Sequence, residues 1–136
     1  MLRPPTCVVI SPNEGYHGKQ GFDYVAGISA QTADSKGICM HTVVIPPGVT
    51  SKAHSHTHET AIYVLEGEAG MWYGEGLREH VTVKAGQFLY IPAGVPHLAY
   101  NPSDHATVRG ILARTDPNDQ ETVVPYDTPG KGAPRE

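Results

Sequence analysis

The chain has 136 residues, of which 39% are hydrophobic and 18% charged, and its net charge is −4. That length suits a single domain able to bury one core without disulfide or metal staples. The mildly acidic balance argues against binding nucleic acid or an anionic membrane surface, and the apolar runs fall far short of the ~20 residues that span a bilayer.

The N-terminal stretch "MLRPPTCVVISPNEG" has no apolar core followed by a small-residue cleavage site, so no secretory signal is expected and a cytoplasmic location is the default. Short β-branched runs predict strands near Cys7–Ile10, Phe22–Ile28 and Gly37–Ile45. Residues 1–36 hold more strand than a small barrel needs, and open sheet edges seek partners. They are expected to pair with a second copy and make a homodimer. Cys7 and Cys39 are the only cysteines and sit in apolar stretches far apart in sequence, so buried, inert thiols are expected.

Further strands are predicted at Thr60–Leu65, Glu68–Tyr73, His80–Val83, Phe88–Ile91, His97–Tyr100 and Thr107–Ala113. "PPG", "YGEG", "KAG", "PAGVP" and "NPSD" supply the breakers between them. No apolar 3.6-residue period is long enough to predict a helix. Many short strands divided by turns make an all-β barrel or sandwich. Past Thr115 the chain turns polar and Pro-rich. A tail over 116–136 is expected, with one edge strand at Glu121–Val124 and disorder from about Asp127. The resulting division is an extension over 1–36, a barrel over 37–115 and a tail.

Two stretches carry chemistry. "KAHSHTHETAIYVLEGE" places His54, His56 and His58 at alternate positions, followed by Glu59, at the mouth of an apolar strand. "GQFLYIPAGVPHLAYN" places His97 directly after a stiff turn made by Pro92, Gly94 and Pro96. Either stretch alone could be a solvated loop. Together they are a candidate metal site. His17, His41, His80 and His105 lack such support, though His41 in "CMHTVVI" could look into the barrel.

Gly86, Pro92, Gly94, His97 and Asn101 match every position of the second motif of the cupin superfamily, which the chain resembles over about 38–113. Gly48, His54, His56 and Gly67 match the first motif in part. The resemblance implies a double-stranded β-helix, or jelly-roll, barrel, often dimeric, with a metal inside. One departure matters. Counting back from Gly67, the family's glutamate should fall at Thr60. On a strand, alternate residues share a face, so His58 would point inward with Thr60, and Glu59 outward unless a bulge intervenes. Either could supply the fourth ligand, and parity favours the set His54, His56, His58 and His97. Alternate strand residues lie ~6.6 Å apart, so the chain must turn between His56 and His58 if both hold one ion.

Imidazole-rich ligation suits Zn or Fe, with Ni, Mn or Cu also compatible. Tyr63, Tyr90, Tyr100, Trp72, Met40 and Phe88 are the candidates to shape a pocket. The resemblance leaves two functions open. One is a metal-dependent enzyme acting on a small organic substrate, by Lewis-acid (cyclase- or isomerase-like) or dioxygen chemistry. The other is a non-catalytic binding or sensing cupin.

Overall fold

In the computed structural model, residues 5–11, 16–17, 21–118 and 123–127 are described. β1 (Tyr16–His17) and β2 (Asp23–Ile28) lead through the single-turn helix α1 (Ala30–Ala33) to β3 (Cys39–Ile45). Then follow β4 (His54–Ser55), β5 (Thr60–Glu66), β6 (Glu68–Tyr73), a 3₁₀ turn (Glu75–Leu77), β7 (Glu79–Lys84), β8 (Phe88–Ile91), β9 (His97–Tyr100), β10 (Val108–Arg114) and β11 (Val124–Pro125). Among the described residues no helix is long and apolar enough to cross a membrane.

The strands form two antiparallel sheets, one in the order β1-β2-β3-β10-β5-β8 and the other β11-β4-β9-β6-β7. Strict alternation decides what each sheet turns inward. Along β3, Cys39, His41, Val43 and Ile45 are buried. Along β10, Val108, Gly110, Leu112 and Arg114 are buried, and the two strands pair from Val108↔Ile45 to Arg114↔Cys39. Phe22, Tyr24, Val64, Ala69 and Val83 close the core from neighbouring strands.

Most of the expected strands form, those at Glu68–Tyr73, Phe88–Ile91 and His97–Tyr100 with the expected ends. The one near Cys7–Ile10 does not. Residues 5–11 have no regular structure, and Cys7 is exposed whereas Cys39 is buried. Prolines at positions 5 and 12 flank that run, and each removes a backbone donor that a sheet would use. β2, which lies in the expected extension, hydrogen-bonds β3 of its own chain, and Tyr24 packs in the shared core. The short helix α1 was not expected. Ser29 caps it reciprocally with Thr32, and one turn is too brief to show an apolar period.

Two motif residues hold the loops that frame the site. Gly67 turns β5 into β6 at φ +87°, and a Cβ there would sit 2.7 Å from the Thr107 carbonyl oxygen. Asn101 is buried. Its Nδ2 donates to the Ile45 and Ala106 carbonyls at 3.0 and 2.7 Å, and its Oδ1 accepts from Ser103 N–H at 3.0 Å. Truncating it strands buried backbone groups, each costing ~1–3 kcal/mol. Asn101→Ala is therefore expected to lower unfolding free energy by about 3 kcal/mol in chemical denaturation, and an unchanged midpoint would refute that role.

Candidate metal centre

The stiff turn before β9 fixes His97. Gly94 adopts φ +81°, and its N–H donates to the His56 carbonyl at 2.7 Å. Gly74 N–H donates to the Pro96 carbonyl at 3.0 Å. The same turn that delivers His97 therefore also grips the backbone beside the other histidine stretch. β4 is only two residues long, and it sits between β9, through the pair His54↔His97, and β11. Tyr126 N–H adds a bond to the Ala53 carbonyl at 3.1 Å. Residues 123–127 of the expected tail thus brace the ligand strand. The edge strand stands at Val124–Pro125, while residues 121–122 of the expected 121–124 stretch and the residues beyond 127 lie outside the described residues.

His54, His56 and His97 are all buried, and each offers a ring nitrogen within 4.8 Å of the others'. Their ring centroids are 4.4 Å (His54–His97), 4.9 Å (His54–His56) and 5.6 Å (His56–His97) apart. Two rings have a determined tautomer. His54 Nδ1–H donates to the Lys52 carbonyl at 2.6 Å, and His97 Nδ1–H to the Val95 carbonyl at 2.9 Å. A carbonyl can only accept, so the proton sits on Nδ1 and Nε2 keeps its lone pair. Burial, with smaller help from the other charges nearby, lowers the His97 pKa to about 3, and burial likewise lowers that of His54. Neutral imidazoles oriented through their far nitrogens are what a divalent transition metal requires of its ligands.

His58 is not brought into this group. The chain turns after His56, and the His58 ring lies half-buried with Nδ1 3.6 Å from Asp116 Oδ2. Glu59 is exposed and bonds Tyr90 on the outer face, as parity without a bulge requires. Thr60 does point inward, and its hydroxyl accepts from Arg114 Nε at 2.9 Å. Arg114 is the site residue that the sequence reading missed. Its charge disguises it as a surface residue, and the signal that could have found it is its inward parity with Leu112 along β10.

The triad borders an inner cavity of about 70 Å³, lined mostly by aliphatic side chains together with Tyr24, Thr60 and Arg114. The pocket candidates Tyr63, Tyr90, Tyr100, Trp72, Met40 and Phe88 do not line it. In β8 the inward positions belong to Leu89 and Ile91, which leaves Phe88 79% and Tyr90 59% exposed. Tyr63 packs its ring at a tilt against Phe88 on that outer side, and His80 packs against Trp72 and bonds the Tyr100 hydroxyl. His41 is buried on the inner face against Tyr24, away from the cavity lining.

The sequence profile of the cupin domain matches residues 41–112. No protein of curated function matches the sequence significantly. Among solved structures, a variant of Bacillus subtilis oxalate decarboxylase superposes with a TM-score of 0.66 at 20% identity, covering 85% of this chain and 30% of that one. A second structure of that decarboxylase, from work on its Mn(II) centres, has a TM-score of 0.72 at 14% identity, covering 91% and 34%. The Schizosaccharomyces pombe Cnp3 cupin domain has a TM-score of 0.60 at 11% identity, covering 70% and 61%. The likeness is one of fold, and the chain spans about a third of the decarboxylase's length.

The lowered histidine basicity has a definite sign. Between pH 6.5 and about 3 the unfolded chain binds a proton at His97 that the folded chain refuses. The stability this ring contributes is present above 6.5 and lost as pH falls through that window. The chelated protein is expected to melt progressively lower from pH 7 to pH 4 in scanning calorimetry. His97→Gln should flatten that slope, and an equal slope in both proteins would contradict it.

Proposed function

The chain belongs to the cupin family, and from that premise we propose that it is a metal-dependent enzyme acting on a small organic molecule inside the barrel. The observation that carries this reading is the buried histidine triad bordering a largely apolar cavity. His54, His56 and His97 would hold one divalent transition metal. When bound, such an ion supplies Lewis-acid polarisation of a substrate oxygen or a position for dioxygen. The Bacillus subtilis decarboxylase has Mn(II) centres, which adds weight to manganese beside the zinc and iron that a histidine set suits.

The chain's own residues do the rest. The Lys52 and Val95 carbonyls hold two rings in the tautomer that faces the cavity. The lining is largely aliphatic, and such a low-dielectric surround strengthens every electrostatic interaction within. One observation favours the second reading, a non-catalytic binding cupin: among the described residues no carboxylate lines the cavity to serve as general acid or base. A homodimer also belongs to this proposal. Exposed Phe88, Tyr90 and Met40 give the outer face of the six-stranded sheet apolar area for a second copy to cover.

Elemental analysis of the purified protein is expected to find one divalent transition metal per chain. His97→Ala should lose it and His58→Ala should keep it. Turnover that disappears on chelation and returns with the metal supports the enzyme. Full metal retention in His97→Ala, or a wild type that takes up no metal on reconstitution, would end the metal reading.

A further inference from the structure

Nothing in the triad itself accounts for Arg114. It ends β10 on the inner face, 4% exposed, in a cross-strand row with Cys39, Thr60 and Ile91. Nε donates to the neutral Thr60 hydroxyl, while the buried Nη1 has no hydrogen-bond partner among the described residues. A guanidinium stays protonated at any physiological pH. A buried cation ordinarily faces a carboxylate, because an unpaired charge in low dielectric is costly. Here Glu59 points out to Tyr90, Asp116 faces His58, and Arg114 makes no ion pair among the described residues.

The metal ligands do not supply the missing charge. Three neutral imidazoles bring no negative charge to a divalent ion, and Thr60 stands at the position where the first motif puts a glutamate. Arg114 and the triad line one small compartment. Loaded with an ion, that compartment holds an excess of positive charge and, among the described residues, no anion.

We infer that the ligand of this barrel is a small organic carboxylate, seated between the histidine triad and the Arg114 fork. The fork's parallel donors match a planar carboxylate, and the bond to Thr60 holds Nε while Nη1 is left to the ligand. The cavity of about 70 Å³ has room for roughly five water-sized groups, so the acid has only a few heavy atoms. The inference deepens the metal-enzyme reading and rests on it for the triad's role.

The test compares acetate with its neutral isostere acetamide by titration calorimetry on the full-length, metal-loaded protein. Acetate is expected to bind at least tenfold tighter. Arg114→Met should abolish that preference, and Arg114→Lys should retain part of it. Should Arg114→Met fail to fold, Thr60→Val removes only the anchor of the guanidinium and is expected to weaken acetate several-fold. Metal content is measured on the same samples. Acetate no tighter than acetamide in the wild type overturns the inference, as does a preference that survives Arg114→Met or, where only it folds, an undiminished one in Thr60→Val. A protein that takes up no metal sinks the functional reading instead. The same titration on the metal-free wild type then decides separately, a preference for acetate upholding the Arg114 site and indifference overturning it.

Discussion

Three imidazoles share one buried compartment; burial lowers the basicity of His54 and His97, and backbone carbonyls fix which way those two rings face. His54 and His97 each spend one nitrogen on a carbonyl two residues earlier in the chain. Local chain geometry thereby sets ring orientation, and burial sets protonation. Neither effect works alone. An exposed ring would rotate and titrate near neutrality, and a buried ring with Nδ1 unbonded would strand a donor in low dielectric. The turn before β9 couples the two stretches, because Gly94 binds the carbonyl of His56 while the same turn delivers His97.

The compartment's electrostatics differ from what a glutamate-bearing first motif would give. Thr60 replaces an anion with a hydroxyl, and that hydroxyl bonds a buried guanidinium. A carboxylate at this position would offset part of the positive charge of the arginine and of any bound ion. With threonine, the negative charge has to come from outside the chain. The site's selectivity is thus tied to one inward-facing row of four strands, Cys39, Arg114, Thr60 and Ile91, rather than to the histidines.

The two faces of the six-stranded sheet divide the work. Inward positions of β3, β5, β8 and β10 build core and cavity. Outward positions carry Phe88, Tyr90 and Met40, which look like pocket aromatics and apolar groups in the sequence but stand on the other side of the pleat. A one-residue difference in register would exchange the two sets.

From the sequence alone, the all-β barrel, the position of most strands and the convergence of His54, His56 and His97 could be read, because period-two alternation, glycine and proline turns and motif spacing are local signals. Parity also placed Glu59 outward and Thr60 inward, but it favoured His58 for the cavity. The turn after His56 carries that ring to Asp116 instead, and alternation has no force across a turn. Arg114 and the bracing of β4 by Val124–Pro125 were decided only in three dimensions. Both depend on pairing between strands far apart in the chain, where a charged residue becomes interior because its neighbours across the sheet enclose it.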